Sequence, residues 1–147
     1  MSDTQSQPVA TDHRTVLIIG ISRGIGRGLA ASISDAAGPS SAPCALRSLP
    51  RASRQGSISL NDRGSYEVYR ASKAALNQLM RSYAARHGGE ARTLLLIAPG
   101  WVQTELGGPG APQTVEQAVP GIIDTIDAHR AAGGLRFLNP QNEVIPW

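Results

Sequence analysis

The sequence predicts an α/β fold in which helices cover a short parallel sheet. Two apolar runs, 15–19 and 94–98, are rich in aliphatic residues, as is typical of strands buried on both faces. Each run leads into a glycine-containing loop, and a helix-forming stretch at 66–87 lies between them. Strands that alternate with helices across glycine turns favour a parallel sheet.

The first strand runs directly into a glycine-rich turn. Gly20, Gly24 and Gly26 follow the pattern G-x-x-x-G-x-G, and a helix is predicted from Arg27 to about Ala37. Glycines let a diphosphate approach backbone N–H groups closely, and the helix N-terminus adds partial positive charge. This context predicts a dinucleotide phosphate site. The alternative is an ordinary glycine turn between a strand and a helix.

The second motif is the pair Tyr69 and Lys73, on a helix predicted from about Tyr66 to His87. Lys73 is the chain's single lysine among 14 basic residues. A four-residue spacing places both side chains on one helix face. An ammonium beside a phenol favours the phenolate, which suits proton transfer. The same spacing also arises by chance on many helices.

We expect this helix to end at Gly88-Gly89, a common C-terminal stop. Its predicted buried face consists of Ala71, Ala75, Leu79 and Met80.

The second half of the chain supplies three further elements. Strand 94–98 is followed by a polar loop that begins Pro99-Gly100, at the end of a parallel strand where α/β sheets bind ligands. A second helix is predicted over Val115–Ala131 with Thr114 as its N-cap, and Pro120 either kinks it or marks its start. The run 135–138 is predicted to be a short last strand.

Composition and charge bear on whether the protein binds nucleic acid or crosses a membrane. The formal net charge is +3 and the pI is about 9.6. The arginines are spread along the chain and aromatic residues are few, which favours a solvated surface over nucleic-acid binding. No stretch is long and apolar enough to cross a membrane. Residues 1–13 are predicted to be a disordered tail without a signal peptide.

The cysteine and histidine content indicates the redox compartment and bears on metal binding. The single cysteine, Cys44, fits a reducing compartment, and we expect a cytoplasmic protein. The three histidines are scattered without metal-ligand spacing, so no metal site is predicted.

Taken together and in this order, the motifs resemble the short-chain dehydrogenase/reductase family. Within it, the chain looks like the branch of bacterial C-factor-like and insect sniffer-like carbonyl reductases. The similarity covers roughly 14–37 and 53–147. The residues that carry it are Gly20, Gly24, Gly26, Gly56-Ser57-Ile58, Gly64, Tyr66, the run Tyr69 to Asn77, Pro99-Gly100, Thr104, and the ending from Gly133 to Trp147.

The resemblance implies specific catalytic roles. Tyr69 would be the general acid that protonates a carbonyl oxygen, and Lys73 would bind the nicotinamide ribose hydroxyls. A serine would hydrogen-bond the substrate oxygen; Ser53 is the first choice and Ser57 the second, although either serine fits a solvated loop equally well.

The resemblance also implies a nicotinamide cofactor. Arg23 precedes the second motif glycine, as in NADP-preferring relatives, and a guanidinium suits a 2′-phosphate. NADP is therefore expected, with NAD as the alternative, and Val102 and Thr104 would contact the carboxamide. The implied cofactor-binding residues are Gly20, Ser22, Arg23, Gly24, Ile25, Gly26, Tyr69, Lys73, Pro99, Gly100, Val102 and Thr104.

The chain is short for this family. Residues 27–68 replace an interval that holds several βαβ units in the family, each of about 30 residues or more. The segment 38–56 is rich in proline and serine and reads as an irregular loop. We therefore expect one shortened domain, 14–147, with an incomplete Rossmann-like doubly wound sheet that lacks the family's second to fourth strands. The first strand would then pair either with strand 93–98 or with a second chain.

Three hypotheses follow. The first is an NADPH-dependent carbonyl reductase in shortened form, acting on a small carbonyl or alcohol, without nucleic-acid or membrane partners, and with self-association as a homo-oligomer. The second is a catalytically impaired relative that binds a nucleotide or a homologue. The third is a degenerate gene product without a stable fold.

Overall fold

The computed structural model describes the backbone of 16–18, then Ile25, 52–90 and 92–147. Over these residues the chain is α/β, as predicted. The predicted tail at 1–13, the helix predicted at 27–37 and most of the loop predicted at 38–56 lie outside the described residues.

Three parallel strands form the sheet, in the order β1-β2-β3. They are β1 (Val16–Ile18), β2 (Thr93–Ile97) and β3 (Gly134–Leu138). Val16 aligns with Thr93 in the first pair, and Thr93 aligns with Gly134 in the second. Of the two alternatives left open for the first strand, pairing with strand 93–98 is therefore the one observed, and no strand lies between β1 and β2.

Helix α1 (Glu67–Arg86) matches the predicted bounds within one residue at each end. Its buried residues are Leu76, Asn77 and Met80. The predicted face was therefore wrong except at Met80: Ala71, Ala75 and Leu79 are exposed. At about 100° per residue Ala71 and Ala75 project from the opposite side of the helix, and Leu79 lies at the flank of the buried face.

The reason lies in what α1 packs against. Its inward face meets a 3₁₀ turn, Arg54–Gly56, whose residue Gly56 is buried. This contact turns polar positions of α1 inward, which apolar periodicity alone does not indicate.

Helix α2 (Val115–Ala128) begins at the predicted N-cap, Thr114, with a full capping box. The Gln117 amide donates to Thr114 Oγ1 at 3.3 Å, and the Thr114 amide donates to Gln117 Oε1 at 2.8 Å. The helix continues through Pro120. A proline lacks one amide donor, so its main cost here is one intrahelical bond.

Two apolar clusters lie on opposite faces of the sheet, because Leu95 and Leu96 are consecutive on β2. The α2-side cluster comprises Ile25, Leu95, Val102, Ala118, Val119, Ile122, Ile126 and Leu138. The α1-side cluster comprises Ala52, Leu76, Met80, Leu96, Ala98, Phe137 and Ile145. Each helix is thereby fixed to its own face of the sheet.

The last residues return along β3. The Ile145 amide donates to the Phe137 carbonyl at 2.8 Å, and the rings of Phe137 and Trp147 lie 5.3 Å apart. The Trp147 carbonyl accepts the Ser59 amide at 3.1 Å, so the tail also anchors the segment that follows the 3₁₀ turn. Among the described helices, none is long and apolar enough to span a membrane.

Candidate active site

Tyr69 and Lys73 face the same side of α1, one turn apart. Lys73 Nζ lies 5.1 Å from the centroid of the Tyr69 ring, and both residues are half-buried. An ammonium at this distance from the centroid interacts favourably with the face of the ring. The pair therefore places a phenol and an ammonium side by side where solvent and small molecules still reach them.

Ser53 occupies the N-cap of the 3₁₀ turn. Its hydroxyl oxygen accepts the Gln55 amide at 3.2 Å, and its carbonyl accepts the Gly56 amide at 2.8 Å. Its side chain is half-buried. The hydroxyl proton stays available to a substrate oxygen, because Ser53 Oγ acts only as an acceptor in this bond.

Ser57 is in a different environment. It is 1% exposed, and its hydroxyl oxygen accepts the Leu60 amide at 3.3 Å. Of the two candidate serines, Ser53 is the more accessible to a ligand.

The 3₁₀ turn and α1 meet at Gly56. A Cβ on Gly56 would lie 2.9 Å from the Cβ, carbonyl carbon and carbonyl oxygen of Lys73, so only glycine fits this contact without a shift. The Gly56 carbonyl accepts from Asn77 Nδ2 at 3.1 Å. These contacts bring the turn that carries Ser53 against the helix that carries Tyr69 and Lys73.

From the sequence, Asn77 was named only as the end of the run that carries the family resemblance and was given no role. The available signal was its position four residues after Lys73 and eight after Tyr69, which keeps it close to their side of the helix.

One residue of the glycine turn is described. Ile25 is 6% exposed and shares an apolar cluster with Val102 from the loop after β2. Its side chain therefore lies in the core. The other predicted cofactor contacts from this turn lie outside the described residues: Gly20, Ser22, Arg23, Gly24 and Gly26.

The loop after β2 is held by backbone bonds. Gly100 has φ of +85°, a conformation that favours glycine after Pro99. Val102 is 3% exposed and forms a parallel bridge with Gln113. Because the Val102 side chain is in the core, only its backbone could contact a ligand.

Thr104 lies farther along the same loop and is half-buried. Its Oγ1 accepts the Gly107 amide at 3.1 Å, which leaves the hydroxyl proton free to be donated. Trp101, which is 60% exposed, donates from Nε1 to the Gly107 carbonyl at 2.8 Å. Both bonds fold the loop back on itself.

Comparison with known proteins bears on this arrangement. A family model described as enoyl-(acyl carrier protein) reductase matches residues 54–138. C-signal from Myxococcus xanthus is 39% identical over 95 residues, which cover 65% of this chain and 57% of C-signal. The chain thus spans little more than half the length of that curated relative.

Two solved structures are also similar. A short-chain dehydrogenase/reductase from Burkholderia multivorans with bound NADP is 27% identical with a TM-score of 0.71, over 90% of this chain and 99% of that one. The carbonyl reductase Sniffer of D. melanogaster is 28% identical with a TM-score of 0.57, over 71% of this chain and 42% of that one. The family model covers more than half of the sequence, and the relatives agree with it: the chain belongs to the short-chain dehydrogenase/reductase family.

Proposed function

We propose that this protein reduces a small carbonyl compound with NADPH. The observation that carries the proposal is the position of Lys73 Nζ, 5.1 Å from the Tyr69 ring, on a helix packed against the turn that carries Ser53. Two elements in direct contact therefore carry the three groups: the phenol of Tyr69 and the ammonium of Lys73 on α1, and the hydroxyl of Ser53 on the turn. Such a set suits addition of hydride to a polarised carbonyl.

The arrangement of the sheet fits a dinucleotide. The strands β1 and β2 are parallel, so their carboxyl ends lie at one edge, where open α/β sheets bind ligands. Ile25 and Val102 share one apolar cluster, which brings Ile25 near the loop after β2. Arg23 favours NADP over NAD, and the similar Burkholderia structure contains NADP.

The proposed mechanism assigns one role to each side chain. A bound reduced nicotinamide would supply hydride to the carbonyl carbon. Ser53 donates a hydrogen bond to the carbonyl oxygen, and Tyr69 transfers its phenolic proton to that oxygen to give the alcohol. Lys73 stabilises the resulting phenolate and would hold the cofactor by donating hydrogen bonds to its ribose hydroxyls. In the reverse direction the Tyr69 phenolate is the base.

Oxidation of NADPH with a panel of aldehydes and ketones tests the proposal. We expect turnover with formation of the alcohol, and a fall of at least about 100-fold in kcat for Tyr69→Phe, consistent with loss of general-acid catalysis. Lys73→Arg should lower both kcat and NADPH affinity, because a planar fork replaces a compact three-donor charge. Wild-type turnover no greater than that of Tyr69→Phe would refute the proposal.

A second candidate is a catalytically impaired relative that binds NADPH or a homologous chain. The direct pairing of β1 with β2 favours it, because the family's intervening strands are then absent between them. Tight NADPH binding without turnover, or co-purification with a longer homologue, would support this candidate. We place either activity in the cytoplasm, where NADPH is available and Cys44 would stay reduced.

A further inference from the structure

We infer that Asn77 is a positioning residue, which holds the turn from Ser53 to Ser57 in place against Lys73. Its effect on catalysis rests on the proposed function, because it acts through Ser53. Its effect on the turn itself does not depend on any activity.

The first observation is the placement of the Asn77 side chain. Asn77 is 5% exposed on the inward face of α1, four residues after Lys73. Its Nδ2 donates to the Gly56 carbonyl at 3.1 Å, across 21 positions of sequence. A buried bond between segments so far apart in sequence fixes their relative position.

The second observation concerns the residue that accepts this hydrogen bond, Gly56. Gly56 is the residue whose backbone approaches Lys73 too closely for a Cβ. The Gly56 amide in turn donates to the Ser53 carbonyl at 2.8 Å. One series of contacts therefore runs from Asn77 through Gly56 to Ser53, alongside Lys73.

The third observation concerns the free-energy cost of burying the Asn77 side chain. Its Oδ1 is buried and has no hydrogen-bond partner in the described part of the chain. A buried acceptor without a partner destabilises the folded state. The buried neighbours on this face, Leu76 and Met80, are apolar. Packing alone would favour an apolar residue at 77, so the bond to Gly56 is the feature that accounts for an asparagine.

Another described anchor of this segment lies farther along. The Ser59 amide donates to the Trp147 carbonyl at 3.1 Å, which restrains the end that follows Ser57. The Ser53 end of the turn is held by the contacts at Gly56 and by Ala52, which is 3% exposed in the α1-side cluster. Loss of the Asn77 amide should therefore loosen the turn locally and leave the rest of α1 in place.

Amide hydrogen exchange of Asn77→Ala tests this inference without any substrate. We expect the Gly56 and Ser57 amides to exchange at least about tenfold faster, relative to the amides of α1 and β2 in the same sample. Leu76→Ala is the matched control: Leu76 is the neighbouring buried residue, and its truncation should shift exchange throughout the α1-side cluster. If Asn77→Ala changes Gly56 and Ser57 no more than it changes α1, the inference is wrong.

Asn77→Leu provides a second variant should the alanine variant unfold. Leucine fills the space and removes the buried Oδ1, while it still lacks the donor to Gly56. The same local loss of protection is expected, and unchanged exchange at Gly56 and Ser57 would again overturn the inference.

A double-mutant cycle connects the turn to catalysis. Asn77→Ala should lower kcat about tenfold with the Kd for NADPH unchanged, and should cause no further loss in a Ser53→Ala background. Additive losses would show that Asn77 does not act through Ser53. If the wild-type protein has no turnover, the proposed function fails, and hydrogen exchange alone decides whether Asn77 positions the turn.

Discussion

A Cβ on Gly56 would lie 2.9 Å from the Cβ of Lys73, so the 3₁₀ turn and α1 touch backbone to backbone. Atoms this close to the main chain cannot rotate away as the end of a long side chain can. The contact therefore makes the position of the turn sensitive to a single methyl group.

Gly56→Ala should destabilise the protein by about 1–3 kcal/mol, the usual cost of overpacking a tight contact. Urea unfolding measures the change. Gly89→Ala is the control, because nothing lies within 4 Å of a Cβ at that position. Equal stability of the two variants would show that the turn moves away from Lys73 at little cost.

The stability contributed by Glu90 should depend on pH. A hydrogen bond from His87 Nδ1, 2.6 Å from Glu90 Oε1, is the main cause that lowers the pKa of this carboxyl; the charge of Arg92 adds to it. Because the native pKa lies below the unfolded value, the contribution is complete above the unfolded pKa. It is lost as pH falls through the native pKa.

Unfolding of wild type and Glu90→Gln, compared between pH 7 and pH 3, measures this contribution. We expect wild type to be the more stable at pH 7 and the difference to shrink in acid. The difference should also fall in 1 M NaCl, because Glu90 is exposed to screening. A difference in stability between the two proteins that stays constant from pH 7 to pH 3 would contradict the lowered pKa of Glu90.

Thr114→Ala should cost about 1 kcal/mol of stability, since it removes the oxygen that accepts the Gln117 amide at the start of α2. Thermal or urea unfolding gives the value. Thr114→Ser keeps the hydroxyl and should lose much less; a serine variant as unstable as the alanine variant would point to the methyl group instead.

Ser65→Gly is expected to stabilise the protein by a few tenths to about 1 kcal/mol. Ser65 has φ of 59°, a left-handed conformation that is costly for residues other than glycine. Its carbonyl accepts from Arg70 Nε at 2.9 Å, and the substitution keeps this backbone acceptor. The gain is reduced by the greater freedom of glycine in the unfolded chain.

Ser82→Gly, inside α1, serves as the opposing control and should destabilise by roughly 0.5 kcal/mol. Urea unfolding measures both variants. If Ser65→Gly also destabilises the protein, the left-handed conformation of Ser65 is not a net cost to the folded state.

Local patterns in the sequence determined much of this protein. Short apolar runs predicted the strands near 93–97 and 134–138. Signals within a few residues predicted the bounds of α1, the cap at Thr114 and the placement of Tyr69 and Lys73 on one helix face. Turn chemistry, capping and helical spacing are encoded at that range. The family too was recognisable from motifs of this kind.

Tertiary structure alone decided which face of α1 is buried, which candidate serine stays accessible, and which strand lies beside β1. Each depends on packing between segments far apart in the sequence: Gly56 against Lys73, Asn77 against Gly56, and β1 against β2. Periodicity predicted that Ala71, Ala75 and Leu79 face inward, but the partner of α1 is a close-packed backbone turn rather than an apolar surface. Gly56 has no side chain and Asn77 is polar, so the contact between them is not visible in the pattern of apolar residues.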